Sequence, residues 1–222
     1  MSRSRIAYDS PQKLFPGHSK VATGVARLCV LREDIYLELA GLAAKDLSET
    51  TGSESCKFGL DDNGVAYRRL YFFRASLTTL AEIQETVHTL QSIAEFRTLL
   101  KTVDTSISDK VNAYHSRLNE HLTELRRVRN ALGGHVSQEA VEKALSNVRL
   151  LHETGKFEMG KTERETHFGF ANTICAHVLI GHLPKNETKK YVETIAALNE
   201  DTMEVISIIL TLYLEANGYF RK

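Results

Sequence analysis

Apolar residues recur at steps of three and four along most of the chain, which is the spacing of amphipathic helices that bury one face. The pattern predicts a first helix over about 22–49. It predicts a second over about 65–102, a stretch without Gly or Pro that is expected to be unbroken. The segment between them, 50–64, is rich in Gly, Ser and Asp and ends in the turn signal DNG, so we expect a loop there.

A third and a fourth helix are predicted in close succession. Asp and Ser residues at 104, 106 and 108 offer N-caps for the third, which ends at Gly133-Gly134, since Gly is favoured just past a helix end. Ser137 is then expected to cap the fourth, over 138–153. The two helices would therefore be joined by a very short turn.

Two more helices are predicted in the last part of the chain. Segment 154–166 has little periodicity and is interpreted as a loop or a weak hairpin. A fifth helix follows over about 166–183, and a sixth over about 187–216 that ends at Asn217-Gly218. Its stretch VISIILTLYL (205–214) is apolar around most of the circumference, which suits a central helix or one that packs on a second subunit in a homodimer.

These elements predict an all-α protein, a helical bundle of about five to six helices with long antiparallel helices. Residues 1–21 hold two of the three prolines and show no sustained period, so we expect an N-terminal arm that is extended or frayed. Residues 22–222 are expected to form a single helical-bundle domain, because a chain of this length can bury one sizeable core.

Composition narrows the class of function. Lys+Arg and Asp+Glu balance at 28 each, so any site for a polyanion such as RNA must be local. The three cysteines are an odd number at wide spacing, which argues against a disulfide framework and favours a reducing, cytoplasmic location. No signal-peptide core is visible, and the most apolar stretch is about half of the roughly 20 residues that span a bilayer, so no membrane contact is expected.

One stretch, RRVRNALGGHVS (126–137), departs from the regular helical pattern. Arg129 and Asn130 are followed by a Gly-Gly break and then by His135. This arrangement resembles the Arg-(four to six residues)-His motif of the HEPN superfamily of all-helical ribonucleases and RNA-binding domains, in which a polar residue, frequently Asn, follows the Arg. The resemblance covers this motif and the all-α architecture.

The resemblance implies RNA cleavage without a metal ion or other cofactor, in which the ribose 2′-hydroxyl attacks the adjacent phosphate. The catalytic residues would be Arg129, Asn130 and His135: the His moves protons, the Arg stabilises charge on the phosphorane, and the Asn orients either of them. Arg126 and Arg127 would guide the RNA backbone. The resemblance also implies a homodimer and a toxin–antitoxin or antiviral setting, with an antitoxin or regulatory protein as partner.

Ordinary helix-stop chemistry is the alternative explanation of the same residues, because Arg in a last turn and Gly just beyond it are common at helix ends. The protein would then be a non-catalytic bundle whose second and sixth predicted helices mediate self-association or partner docking. A third possibility is a HEPN-like fold that binds RNA without cutting it.

Two other constellations are interpreted as structural. In YRRLYFFR (67–74), Leu70 and Phe73 fit the core stripe, and Arg68 and Arg69 are expected on the solvated face. No metal site is predicted at His167, His177 and His182, because the step of five from 177 to 182 puts those two side chains on different helix faces.

Overall fold

The computed structural model describes residues 10–43, 62–132, 137–146, 157–158, 167–182 and 188–219. Within these ranges lie nine α-helices and one pair of two-residue strands. The helices are α1 (Pro11–Leu14), α2 (Lys20–Ala43), α3 (Asp62–Ser92), α4 (Ala94–Lys101), α5 (Thr105–Glu120), α6 (Leu122–Leu132), α7 (Gln138–Leu145), α8 (Gly169–His182) and α9 (Thr188–Ala216). The expected all-α helical bundle is thus confirmed.

The predicted second helix is not continuous, because it is divided into α3 and α4 at Ile93. Ile93 has extended backbone (φ −85°, ψ 127°), and no side chain caps the start of α4. The hydroxyl of Ser92 donates to the Thr89 carbonyl oxygen, and Arg97 donates to the carbonyl oxygens of Gln91 and Ser92 at 3.1 and 2.9 Å. Side chains therefore satisfy carbonyl groups that a continuing helix would have used.

The predicted third helix is also divided, into α5 and α6 at His121. The imidazole of His121 lies edge-on to the Tyr191 ring of α9, with 5.9 Å between the ring centroids. A periodicity count does not detect such a break, since both halves keep the same apolar face toward the core: Val111, Tyr114, Leu118, Leu125 and Val128 are buried.

The helix ends test several local predictions. Asp104 caps α5 by accepting from Ser106 N, and Ser137 caps α7 by accepting from Ala140 N, as expected. Gly218 follows α9 in the left-handed region (φ 73°), which agrees with the predicted Asn-Gly stop. The predicted turn at 62–64 is wrong: α3 already begins at Asp62, because Asp is also favoured in the first turn of a helix, at the positive end of the dipole.

Helices α2 and α3 pack side by side as an antiparallel pair. Gly24 lies against Leu90, whereas Gly41, near the other end of α2, lies against the ring of Phe72. A Cβ atom at Gly41 would come within 2.3 Å of that ring. The absence of a side chain at these two positions therefore lets the helix axes approach closely.

Helix α9 occupies a central position in the bundle. Six residues of its apolar stretch are buried within the protomer: Val205, Ile206, Ile209, Leu212, Tyr213 and Leu214. The Tyr114 hydroxyl of α5 forms a buried hydrogen bond with Thr202, and its desolvation raises the tyrosine pKa. These contacts account for the apolar circumference of α9, so a second subunit is not needed to explain it.

The described part of the predicted N-terminal arm packs on the end of α9. Leu14 is buried, and the ring of Phe15 stacks on Tyr213 at 5.6 Å between centroids. The Tyr213 hydroxyl donates to the Leu14 carbonyl oxygen at 2.8 Å. Residues 11–14 form one helical turn, α1, and residues 1–9 lie outside the described part of the chain.

The segment 154–166, interpreted as a loop or a weak hairpin, contains the first strand of a short pair, and the second strand, His167–Phe168, takes the first residues of the predicted fifth helix. Phe157 pairs with Phe168 and Glu158 with His167, in antiparallel register. This backbone pairing supports the hairpin, whose intervening residues, 159–166, are not among the described ones. Among the described helices, none combines the length and the apolar content needed to cross a bilayer.

One carboxyl group is enclosed between α2 and α3. Glu38 is buried, and its Oε1 accepts a hydrogen bond from the Thr79 hydroxyl at 2.7 Å. Desolvation raises the pKa of Glu38 to about 7; the Thr79 hydrogen bond lowers it, and the negative charge of Asp34 raises it further. In the folded protein the carboxyl group of Glu38 is therefore mostly protonated below about pH 7.

Glu38→Gln is expected to stabilise the protein at pH 8 relative to wild type and to have little effect at pH 4. The raised folded pKa contributes stability below the unfolded value of 4.5, and this contribution is lost as the pH rises through about 7. Urea unfolding at both pH values measures the difference, expected on the order of 1 kcal/mol at pH 8. Glu33→Gln, at an exposed site of the same helix, is the control, and a Glu38→Gln effect that does not change with pH would contradict the expectation.

Gly41→Ala is expected to destabilise the fold by about 1–3 kcal/mol, because the added methyl group overlaps the Phe72 ring. Gly181→Ala is the matched control, since nothing lies within 4 Å of a Cβ atom at this helical position. That substitution is expected to stabilise by up to about 1 kcal/mol through helix propensity. Thermal unfolding of both variants distinguishes close packing from propensity, and equal shifts in the same direction would refute the packing argument.

Candidate functional site

Helix α6 carries most of the motif RRVRNALGGHVS, and its buried face decides where the polar residues point. Leu125, Val128 and Ala131 are buried and hold this face of α6 against the rest of the bundle. The polar side chains are consequently directed outward: those of Arg126, Arg127 and Asn130 are exposed, whereas Arg129 is partly buried. Burial alone therefore singles out Arg129 among the three arginines.

The candidate residues do not all share one side of α6. At about 100° per residue, Arg126 lies about 60° and Asn130 about 100° around the helix axis from Arg129, all in the same direction. Arg127 lies about 160° from Arg129. The helix thus places Arg126, Arg129 and Asn130 in one arc, while Arg127 belongs to another surface.

Arg129 contacts two carboxylates of α3. Its Nη1 lies 3.2 Å from Glu82 Oε1 and 3.7 Å from Glu85 Oε2. The other carboxylate oxygen of Glu82 accepts from Arg27 of α2. Four charges of alternating sign, Arg27, Glu82, Arg129 and Glu85, thus link α2, α3 and α6; we call them the charge chain.

The charge chain bears on both interpretations of the motif. An arginine that faces an acidic neighbour is the arrangement that the helix-stop alternative leads one to expect. The side chain of Arg129 nevertheless remains 30 % exposed, and both carboxylates contact only one of its terminal nitrogens. Because a guanidinium has five N–H donors in a planar fork, the N–H groups that the carboxylates do not occupy stay available for hydrogen bonds, although the two negative charges beside them disfavour a further anion.

A backbone hydrogen bond joins the end of α6 to the residue that precedes α7. Ser137 N donates to the Ala131 carbonyl oxygen at 2.9 Å, which joins the described residues on either side of 132–136. Gly133, Gly134 and His135 fall outside the described residues, so the candidate catalytic histidine is placed only by its position in this short link.

The aromatic and basic stretch 67–74 is largely structural. Leu70 and Phe73 pack against the core, as expected. Arg68 is buried, so its predicted place on the solvated face is wrong; Arg69 is exposed, as predicted. Arg74 lies over the exposed ring of Tyr71, at 5.4 Å from the ring centroid. A helical wheel identifies the apolar stripe but not which polar side chains the folded protein buries beside it.

Potential metal ligands are dispersed in the part of the chain that the structure describes. No group of three or more His, Cys, Asp or Glu side chains with the arrangement of a metal site occurs there. His177 is half-buried in α8, and His167 contributes backbone to the strand pair.

Glu82 and Glu85 were not singled out from the sequence. They occur in a stretch of α3 with ordinary spacing, where carboxylates most simply form a solvated face. Their partner, Arg129, is more than 40 residues away, and no local pattern couples positions at that separation. Only the packing of α6 on α3 brings these charges together.

Comparison with known proteins gives no match. No protein-family model, no curated protein and no solved structure is significantly similar to this chain.

Proposed function

We propose that the carboxyl end of α6 binds RNA and that Arg129, Asn130 and His135 cleave it without a metal ion, as the HEPN resemblance implies. The observation that carries the proposal is the arc of Arg126, Arg129 and Asn130 at the end of α6, next to the short link that contains His135. Exposed cationic and amide groups in one arc can contact successive groups of an RNA backbone.

The proposed reaction is a transesterification in which atoms balance without a cofactor. The 2′-oxygen of a ribose attacks the adjacent phosphorus, and the bond from phosphorus to the 5′-oxygen of the next nucleotide breaks. A base takes the proton of the 2′-hydroxyl, and an acid supplies a proton to the leaving 5′-oxygen. His135 is proposed to act as the base or as the acid. Arg129 stabilises the charge on the phosphorane oxygens, and Asn130 orients the reacting groups.

The formal charge of zero makes the local arrangement decisive. Arg126 adds an exposed positive charge beside Arg129, whereas Arg127 would contact a different part of the strand because it faces another side of α6. By the same resemblance, the active species would be a homodimer, and an antitoxin-like protein would be a natural partner.

Arg129→Ala and His135→Ala are each expected to reduce RNA cleavage by at least about 100-fold, since each removes a group from the reacting centre. Cleavage of a labelled RNA is measured in EDTA, and the products are examined for 2′,3′-cyclic phosphate ends. Arg117→Ala is the matched control, because Arg117 is an exposed arginine in an ion pair with Asp201 on another helix. Equal cleavage by all these proteins would show that the activity does not come from this site.

A second candidate function, helical docking, is favoured by the exposed apolar residues of α2. Val30 is 63 % and Leu37 62 % exposed, and seven residues apart they lie within about 20° of each other on the helix. Glu33 and Asp34 are exposed between them. The exposed residues thus add the first long helix as a candidate surface for self-association, beside the two helices that the sequence suggested.

Self-association through α2 is expected to strengthen with salt, because screening weakens repulsion between the acidic groups that two antiparallel copies would bring together. Val30→Ser combined with Leu37→Ser should then convert a dimer into a monomer, as measured by light scattering after size-exclusion chromatography. Val192→Ser, at an exposed position of α9, is the control. A wild-type protein that is monomeric at high salt would exclude this candidate.

A further inference from the structure

The charge chain neutralises Arg129 within the protomer. Glu82 and Glu85 approach the same nitrogen, Nη1, from one helix, α3. We propose that these carboxylates form an electrostatic latch, in which both contact the guanidinium of Arg129 until RNA displaces one of them. This inference rests on the proposed function and concerns the regulation of the same site.

The distances make the two kinds of ligand mutually unfavourable. A phosphate oxygen that hydrogen-bonds to Nη1 would stand about 2.8 Å from it, close to carboxylate oxygens that lie 3.2 and 3.7 Å from the same atom. A phosphate and two carboxylates gathered around one nitrogen atom repel one another, and partial exclusion of water strengthens this repulsion. Binding of a phosphate at Nη1 is therefore favoured when at least one carboxylate moves away or becomes neutral.

The two carboxylates are not equivalent. Glu82 is shared with Arg27 and its side chain is only 31 % exposed, so a second cation and the surrounding packing hold it in place. Glu85 is 54 % exposed, and among the described residues its one ion pair is with Arg129. Glu85 is therefore the movable member of the latch, and Glu82 is the anchor that keeps the guanidinium in position.

The latch favours binding of a polyanion over binding of a small phosphate. One phosphate must compete with the latch for a single guanidinium, whereas an RNA strand also contacts Arg126 and Arg127, whose side chains are exposed. Each additional phosphate contact releases counterions and offsets the loss of the Glu85 contact. The latch thus excludes inorganic phosphate and mononucleotides while it admits a strand.

The test measures binding of a fluorescent 2′-O-methyl RNA oligomer, which has no free 2′-hydroxyl and cannot be cleaved by the proposed route. Fluorescence anisotropy in EDTA gives Kd for wild type, Glu85→Gln, Arg129→Ala and the double variant. Glu85→Gln is expected to tighten binding at least threefold, and the gain should disappear when Arg129 is also replaced. Glu204→Gln is the control, because Glu204 is an exposed carboxylate paired with one lysine on another surface.

The outcomes separate the latch from the proposed function. If Arg129→Ala weakens binding but Glu85→Gln has no more effect than Glu204→Gln, the latch is refuted and the RNA site stands. If neither wild type nor Glu85→Gln binds the oligomer in an Arg129-dependent way, both inferences fail. Inorganic phosphate competes in the same assay, and displacement of RNA from wild type at low millimolar phosphate would also overturn the latch.

Discussion

The close approach of α2 to α3 is the constraint on which the other features depend. It is possible because Gly24 and Gly41 present no side chain to Leu90 and Phe72. The approach encloses Glu38 beside Thr79, and it brings Arg27 within reach of Glu82. If the two helices were farther apart, water would reach the carboxyl group of Glu38, and Arg27 would no longer contact Glu82. The packing of α2 on α3 thus determines both the burial of Glu38 and the formation of the Arg27–Glu82 ion pair.

The charge chain connects the α2–α3 pair to α6. Glu82 accepts from Arg27 with one oxygen and from Arg129 with the other, so the position of α2 helps to fix the arginine of the motif. All four members are partly exposed, so their contribution to stability is modest, as is usual for surface ion pairs. Their main effect is on direction: they hold the guanidinium of Arg129 toward α3, while Asn130 and Arg126 face the solvent.

Periodicity predicted the helices well and their continuity poorly. The apolar faces and the caps at Asp104, Ser137 and Gly218 follow from local chemistry, which one sequence contains. The breaks at Ile93 and His121 arise from side-chain hydrogen bonds and from a contact with Tyr191 of a distant helix. The carboxylates at Arg129 escaped detection for the same reason, because an ion pair between distant segments leaves no trace in the local pattern. The sequence pattern marked Arg129 as a candidate, but it did not reveal the two carboxylates that pair with this arginine.

Arg129 lies in the last turn of α6, where a cation stabilises the helix dipole, whereas Arg126 and Arg127 lie more than one turn before the end of the helix. The guanidinium of Arg129 also faces two carboxylates of α3. A dipole alone does not require such a pair, and a surface ion pair adds little stability. A structural helix end accommodates this pair, and under the proposed latch the same pair would also let α3 control the availability of the guanidinium. Dependence of RNA binding on Arg129 therefore decides between an RNA site and a structural helix end, and an effect of Glu85 on that binding decides whether the latch operates.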